Sequence, residues 1–167
     1  KKGLDGGLQG ISFLNYDKAE VRSVLREIKF RSNHRAAKEL SKLLIEKIKG
    51  MKADIWVPVP LARKREKKRG FNQVEKLFQP VLASLGYSFN PMIERRHETG
   101  PLYSLTVDER KVEIQDAFKV KEEITIRDIR DKTVVILDDI LTSGTTVSEI
   151  ARCLAPFKPK KVTAVTV

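Results

Sequence analysis

The stretch from Val134 to Ile150, VVILDDILTSGTTVSEI, restricts the fold more than any other part of the chain. Its opening apolar run is typical of a strand buried on both faces, and the apolar spacing after Thr146 indicates a helix. A buried strand followed closely by a helix is typical of a parallel sheet, whose ligands bind at the carboxyl ends of the strands. We therefore predict an α/β fold in which residues 138–146 lie at that edge.

The rest of the chain also alternates between strand and helix patterns. Strands are predicted over 11–17, 53–60, 87–95, 117–120, 133–139 and 160–167, and helices over 18–30, 34–49, 71–86 and 146–155. Pro80 is expected to kink or break the third helix, and Gly86 to end it. The glycine-rich residues 1–10, the charged residues 61–70 and residues 97–116 are predicted to be loops, the last long and mobile with one helical turn.

Asp138 and Asp139 place two like charges side by side at the end of a buried strand. Such a pair needs compensation from donors or cations. The next loop is suited to an anion, because Gly144 permits close backbone approach and the following helix presents its positive end. A sugar phosphate fits both halves, since its hydroxyls would donate to the carboxylates and its phosphate would enter the loop. The loop donors are Thr142, Ser143, Gly144, Thr145 and Thr146.

Other interpretations of this segment compete. The loop is compatible with an ordinary turn in which a threonine caps a helix. The acid pair is compatible with a magnesium pocket of the phospho-acceptor type. A P-loop is disfavoured, because the Gly-x-x-x-x-Gly-Lys-Ser/Thr pattern is absent. The complete string of strand, acid pair, hydroxyl-rich loop and helix favours the sugar phosphate.

A basic run follows the predicted strand 53–60 and therefore reaches the same edge. Only Glu66 opposes its six cations, which suit a pyrophosphate. The chain carries a net charge of +11, as expected of proteins that meet polyanions, and a nucleic-acid backbone can use the surplus. A merely solvated face and a nuclear-localisation segment are the alternatives. The cations are Arg63, Lys64, Arg65, Lys67, Lys68 and Arg69.

Three other residue types narrow the classes of site. His34 and His97 are isolated, so a histidine metal site is not indicated. The single cysteine, Cys153, cannot form an internal disulfide and fits a reducing, cytoplasmic setting. Phe71 beside the basic run is a candidate to stack a nucleic-acid base, although a core position better suits the start of its predicted helix. No apolar run approaches the roughly 20 residues that a membrane span needs.

Two motifs resemble known families. The string from Val134 to Thr146 closely resembles the motif with which type I phosphoribosyltransferases bind phosphoribosyl pyrophosphate (PRPP). The VPVPL of residues 57–61, the basic run and the RGFNQ of residues 69–73 resemble the ComF family, phosphoribosyltransferase-like proteins of DNA uptake and natural competence. An early LREIKF segment and the order of the motifs extend this resemblance over nearly the whole chain.

The resemblance implies a role for each motif. Asp138 and Asp139 would bind the ribose hydroxyls and hold Mg²⁺, directly or indirectly, as the catalytic acids, and the loop from Thr142 to Thr146 would bind the 5′-phosphate. Thr99 and Arg110 would belong to a flexible loop over PRPP. The pyrophosphate would be bound by Leu61, Ala62, Arg63 and Lys64, and nucleic acid by Arg65, Lys67, Lys68, Arg69 and Phe71.

The chain departs from the family in two places. Many members begin with a four-cysteine zinc module, which this chain lacks, so we expect the module to have been trimmed or lost and no zinc in this chain. In the middle loop, Leu102 stands where glutamine is common, and Glu113 or Ile114 where asparagine is common. This divergence leaves catalytic turnover more open than binding.

The implied fold is a type I phosphoribosyltransferase-like α/β fold with a mostly parallel central sheet flanked by helices. Residues 1–50 would form a tail and a small helical hood, and residues 51–167 the core. The implied function is PRPP binding and single-stranded DNA binding in natural transformation, alongside other DNA-uptake proteins. The location would be cytoplasmic, with peripheral attachment to the inner face of the membrane as a variant. A nucleobase salvage phosphoribosyltransferase and a non-catalytic PRPP sensor are the alternatives.

Overall fold

A five-stranded sheet forms the centre of the computed structural model, which describes residues 2–3, 8–14, 18–31, 34–99, 105–141 and 143–167. The strands are β1 (Lys2–Gly3), β2 (Gln9–Ser12), β3 (Ile55–Pro58), β4 (Ile93–Arg95), β5 (Phe118–Val120), β6 (Thr133–Asp138) and β7 (Lys161–Thr166). The helices are α1 (Ala19–Arg31), α2 (His34–Ile48), α3 (Arg63–Arg69), α4 (Gln73–Ser84), α5 (Val107–Ile114), α6 (Ile126–Ile129) and α7 (Thr145–Leu154), with a 3-10 turn at Ala155–Phe157.

The central sheet has the order β1-β2-β7-β6-β3, and its four longer strands run parallel. Only β1 is antiparallel, at one edge. A separate antiparallel pair, β4 and β5, places Arg95 opposite Phe118. The prediction of a mostly parallel α/β fold is confirmed.

Side chains alternate between two hydrophobic cores on opposite faces of the sheet. Val134 and Ile136 of β6 pack into one core, and Val135 and Leu137 pack into the other. On β3, Val57 packs into the first of these cores and the preceding residue, Trp56, packs into the second. Burial on both faces explains why these strands are almost continuously apolar in sequence.

Helices cover both faces of the sheet. On one face, Leu44 of α2 and Phe78 of α4 are buried, and the Ser41 hydroxyl donates to the Leu77 carbonyl at 3.1 Å. On the other face, Ile150 of α7 packs in a core that also contains residues of β4 and β5. Helices α1 and α2 thus share a core with strands from beyond residue 50, and the division of the chain at residue 50 stays a prediction.

Two segments predicted to be loops contain helices. Residues Arg63–Arg69 form α3 because Arg, Lys and Glu favour helix, and Gly70, with φ of 80°, ends it. Residues Val107–Ile114 form α5, which begins with a capping box between Thr106 and Glu109. Both helices lack the apolar periodicity from which helices are predicted.

Smaller differences concern the N-terminal strands and Pro80. The glycine-rich start contributes β1 and part of β2, because β2 pairs with β7 and β1 pairs with β2, and no local pattern predicts these backbone hydrogen bonds. Helix α4 continues through Pro80 to Ser84, so the expected break does not occur, and Pro80 is exposed. In the part of the chain that the structure describes, no helix is both long and apolar enough to cross a membrane.

Candidate functional site

The two segments singled out in the sequence follow neighbouring parallel strands. Pro58 of β3 lies opposite Leu137 of β6, and the Val59 amide continues the pairing with a 2.9 Å bond to the Leu137 carbonyl. Both strands end here, so the basic segment and the acid pair leave the sheet at the same edge. This is the edge where ligands bind in parallel α/β sheets.

Asp138 and Asp139 lie at the end of β6 with different exposure. Asp139 is buried, with 6% of its surface exposed, whereas Asp138 is half-buried. The Asp139 amide donates to Oδ1 of Asp138 at 2.8 Å, which satisfies part of that carboxylate. Two carboxylates in this setting require nearby cations.

Three arginines supply positive charge beside the acid pair. The charge of Arg69 on α3 interacts with that of Asp139, and the charge of Arg95 at the end of β4 interacts with that of Asp138. Arg65, one helical turn before Arg69, is close enough to repel both other arginines. The two carboxylates thus interact with guanidinium groups from two separate elements, Arg69 and Arg95, and Arg65 lies near both of these arginines.

The arginines are held partly away from water. Burial, followed by the positive charge of Arg65, lowers the pKa of Arg95 to about 10. Burial also lowers the pKa of Arg69, while the attraction of Asp139 opposes this effect. A cation whose charged form is disfavoured gains when an anion approaches. The electrostatics at this edge therefore favour an anionic ligand.

Helix α3 divides its cations between two sides. Arg65 and Arg69, four residues apart, are half-buried, and Arg69 interacts with Asp139. Its remaining cations, Arg63, Lys64, Lys67 and Lys68, are exposed. Of the residues predicted to bind nucleic acid, only Lys67 and Lys68 are therefore fully on the solvent side.

The RGFNQ segment forms the turn between α3 and α4. Gly70 ends α3, and Asn72 caps α4 by accepting from the Val74 amide at 3.0 Å. Asn72 also donates to the Val59 carbonyl at 3.1 Å, and Oε1 of Gln73 accepts from Arg69. The motif thereby fixes Arg69 relative to the end of β3.

Phe71 within this turn is only partly buried, and Nζ of Lys76 lies 4.1 Å from its ring centroid. The expectation that Phe71 is a core residue of the helix is wrong. The helix begins two residues later, and the apolar positions that enter the core start at Val74.

Residues 95–99 are bonded to the basic segment at several points. The Arg95 guanidinium donates from Nε to the Pro60 carbonyl at 3.0 Å. The Lys64 amide donates to Oε1 of Glu98 at 3.1 Å, so a distant carboxylate satisfies an amide at the start of α3. Arg65 donates to the Thr99 carbonyl at 3.0 Å.

The loop after the acid pair leads directly into α7. Gly144 has φ of 82° and caps the helix, a conformation that glycine adopts without strain. The hydroxyls of Ser143 and Thr145 lie 3.1 Å apart and share one hydrogen bond. Thr145 and Thr146 begin α7, which confirms the predicted helix to within one residue at each end. Thr142 lies outside the described residues.

The predicted flexible-loop residues take different positions. Thr99 is buried and bonded to Arg65, so it is attached to the site. Arg110 lies on α5, and its Nε is buried without a hydrogen-bond partner among the residues that the structure describes. Leu61 is half-buried and Ala62 fully buried, and both lie in the short connection between β3 and α3.

Within the described ranges, no three His, Cys, Asp or Glu side chains come together to hold a metal ion. Asp138 and Asp139 would therefore need ligand oxygens to complete a magnesium shell. This is how Mg²⁺ ordinarily binds beside phosphates, so the residues fit that ion.

Arg95 and Glu98 contribute to the site although the sequence did not single them out, and the contacts of Asn72 within the RGFNQ motif were not predicted. Arg95 carried one signal: it shares a strand face with buried Ile93, and a charged residue at an inward position of a strand indicates a role. The contacts of Glu98 and Asn72 join distant segments, which no local pattern reveals.

Comparison with known proteins finds a phosphoribosyl transferase domain and relatives named for DNA utilization and competence. Residues 92–167 match the phosphoribosyl transferase domain family. The DNA utilization protein YhgH of Salmonella typhimurium is 32% identical over 139 residues, covering 78% of this chain and 59% of that protein. The competence protein ComFC of Streptococcus pneumoniae is 26% identical over 156 residues, covering 93% of this chain and 66% of that protein.

A solved structure supports the fold assignment. The allosteric regulatory enzyme of purine biosynthesis superposes with a TM-score of 0.50 at 17% identity, covering 85% of this chain and 30% of the enzyme. The chain spans about three fifths of the length of the YhgH proteins it matches. It has a type I phosphoribosyltransferase-like fold, residues 92–167 match a phosphoribosyltransferase domain, and over most of its length the chain is similar to ComF and YhgH proteins.

Proposed function

We propose that this chain binds PRPP at the edge formed by β3 and β6. We also propose that it binds single-stranded DNA and acts in DNA uptake and utilization. The observation that carries the proposal is the juxtaposition of a partly buried acid pair with three partly buried arginines at the carboxyl ends of two adjacent strands. PRPP presents both groups that this edge can satisfy, ribose hydroxyls for the acids and phosphates for the donors and cations.

Each part of PRPP has a candidate partner. The hydroxyl-rich turn at Ser143–Thr145 and the start of α7 suit the 5′-phosphate, since amides at a helix start attract phosphate. Asp138 and Asp139 suit the ribose hydroxyls. The connection at Leu61–Lys64, next to the arginines, suits the pyrophosphate. Asp138 and Asp139 would hold Mg²⁺, which would supply positive charge to neutralise the pyrophosphate.

The chemistry open to such a site is phosphoribosyl transfer. The bond from the anomeric carbon to pyrophosphate would break, pyrophosphate would leave with the electron pair, and an acceptor nitrogen would bond to that carbon and lose its proton to solvent. Fixed charges would stabilise the positive centre that develops on the ribose. The described residues around the acid pair offer carboxylates and guanidiniums, which hold and stabilise the reactants.

The DNA part of the proposal is supported by charge and by relatives. Two exposed cations on α3, Lys67 and Lys68, lie beside the proposed PRPP site, and the chain has a net charge of +11. The similar proteins are named for DNA utilization and for competence. An electrostatic DNA site predicts affinity that falls steeply as salt rises.

A thermal-shift titration with PRPP and Mg²⁺ tests the site. PRPP is expected to raise the melting temperature of the wild-type chain by mass action, and Asp138→Asn/Asp139→Asn is expected to remove the rise. Asp108→Asn, an exposed carboxylate on α5, is the matched control and should keep it. An equal rise in the double variant would refute the assignment.

Two alternative functions, a nucleobase salvage enzyme and a non-catalytic PRPP sensor, predict different experimental results. A nucleobase salvage enzyme would form a nucleotide when incubated with PRPP and one of the common bases. A non-catalytic sensor would show the thermal shift without nucleotide formation and without DNA binding. Titrating PRPP and then DNA, in both orders, separates these from the proposed function.

A further inference from the structure

A positively charged cleft of about 450 Å³ lies between the start of α3 and the β4–β5 pair. Arg63, Glu94, Arg95, Arg96 and Lys119 line it. Four cations thus face one carboxylate. The volume falls within the range of roughly 300–1,000 Å³ typical of ligand sites.

The single carboxylate does not neutralise the arginines. Glu94 lies opposite Lys119 across the strand pair and forms a salt bridge with it at 3.1 Å. Lys119 has a second partner in Glu122, also at 3.1 Å. The charge of Lys119 is therefore already compensated, and the net charge of the cleft comes from its three guanidinium groups.

Arg63 and Arg96 are exposed, and neither guanidinium forms a salt bridge with any residue that the structure describes. Arg95 is fixed by neutral acceptors, the Pro60 carbonyl at 3.0 Å and Oγ1 of Thr99 at 2.8 Å. It also lies over the ring of Phe118, 4.6 Å from the centroid. The cleft therefore holds one rigid guanidinium and two exposed ones.

Guanidinium groups bind phosphate oxygens in a bidentate manner, which favours phosphate over other anions. Beyond Arg63, the exposed Lys67 and Lys68 extend the positive charge along α3. A track of positive charge longer than a single site suits a linear polyanion. Single-stranded nucleic acid binds such grooves through its backbone.

We infer that this cleft is a binding site for backbone phosphates of single-stranded DNA, with Arg96 as a direct contact and Lys67 and Lys68 of α3 as its continuation. The inference rests on the DNA part of the proposed function and adds the contact at Arg96 beside the β4–β5 pair, which the sequence did not indicate. It separates the DNA contact at Arg96 from the acid pair that would bind ribose.

Fluorescence anisotropy with a labelled thymidine oligonucleotide tests the inference. The dissociation constant is measured for the wild type and for Arg96→Gln at several salt concentrations between about 50 and 200 mM. Losing one phosphate contact is expected to weaken binding several-fold at low salt. It should also reduce the slope of log affinity against log salt by roughly 0.7.

Arg127→Gln is the matched control. Arg127 is an exposed arginine on α6, which precedes β6 and so lies at the opposite edge of the sheet. This variant loses the same charge and should keep the wild-type slope. Equal slopes for Arg96→Gln and the wild type would overturn the inference.

The thermal shift with PRPP distinguishes the remaining outcomes. Arg96→Gln is expected to keep the full PRPP-dependent rise in melting temperature. Loss of that rise would mean that the cleft belongs to the PRPP site, and would overturn the inference while supporting the proposed PRPP binding. A wild-type chain that binds no DNA at low salt would refute both the inference and the DNA part of the proposed function, with the PRPP part tested separately.

Discussion

Oγ1 of Thr99 accepts a 2.8 Å hydrogen bond from Nη1 of Arg95, and the Thr99 carbonyl accepts a second bond of 3.0 Å from Arg65. One buried threonine thus holds two of the three arginines that cluster beside the acid pair. Arg95 comes from β4 and Arg65 from α3, so Thr99 joins two elements that are distant in sequence. Its two hydrogen bonds hold the positively charged Arg95 and Arg65 near each other despite their repulsion.

Replacing Thr99 by valine should destabilise the protein. Valine has nearly the same shape but offers no acceptor, so a partly buried guanidinium would lose a partner. The expected cost is about 1–3 kcal/mol, measured by urea denaturation. Thr99→Ser keeps the hydroxyl and is the control. Valine and serine variants of equal stability would show that the bond to Arg95 contributes little.

Comparing alanine substitutions at Gly70 and Gly50 separates the effect of backbone conformation from the effect of steric contacts. A Cβ atom at either position would meet no atom within 4 Å, but only Gly70 has a positive φ, of 80°. Gly70→Ala should therefore cost about 1–2 kcal/mol, the penalty of the left-handed conformation. Gly50→Ala should be neutral or stabilise by up to about 1 kcal/mol. Denaturation midpoints check this, and equal effects would refute the role of Gly70 as the end of α3.

Cys153 should react slowly and only at high pH. Its thiol donates to the Phe118 carbonyl at 3.3 Å, and burial, followed by the negative charge of Glu149, raises its pKa above the usual value of 9.0. The rate of alkylation by iodoacetamide should reach half its maximum at a higher pH than in the urea-unfolded chain. Matching profiles in the folded and unfolded chains would contradict this.

The raised pKa of Cys153 also predicts the direction in which stability changes with pH. As pH rises through about 9, the unfolded thiol loses its proton first, so the unfolded state binds fewer protons than the folded state. Stability should then fall with rising pH, and Cys153→Ala should lessen that fall. A variant with an unchanged slope above pH 9 would show that the thiol does not contribute.

The elements that were predictable from sequence are those buried on both faces or amphipathic. Strand β6 and its acids were predictable because burial on both faces requires apolar residues throughout, from Val134 to Leu137. Helix α7 followed from its apolar face. The shared edge of β3 and β6 followed from parallel topology, which brings the carboxyl ends of neighbouring strands together.

Helix α3 and Arg95 were not predicted, for a shared physical reason. All seven residues of α3 are charged, so it has no apolar periodicity, and Glu98, 34 residues from Lys64, satisfies one of its first amides. The role of Arg95 depends on Pro60, Thr99 and Phe118. Both the helix and the role of Arg95 depend on residues that are distant in sequence, so the spacing of residue types along the chain does not predict them.

Arg152 joins α7 to the residues that precede β5. Its guanidinium bonds to both oxygens of Glu149, from Nη2 at 2.7 Å and Nε at 2.9 Å, and to Oδ1 of Asp116 at 2.5 Å. These bonds raise the pKa of Arg152. Glu149 is buried and also accepts from the Asp116 amide at 2.8 Å, where Asp116 has φ of 53°.

Arg152→Gln should therefore leave a buried carboxylate without its bidentate partner and loosen the chain at Asp116. Because the Arg152 side chain is 59% exposed, solvent screens the loss, and the expected cost is about 1–2 kcal/mol rather than the value for a fully buried pair. Arg127→Gln, which removes an exposed arginine from α6, should change stability by no more than about 0.5 kcal/mol. Urea denaturation of both variants measures the difference. If the two variants unfold at the same urea concentration, the contacts of Arg152 do not stabilise the junction between α7 and β5.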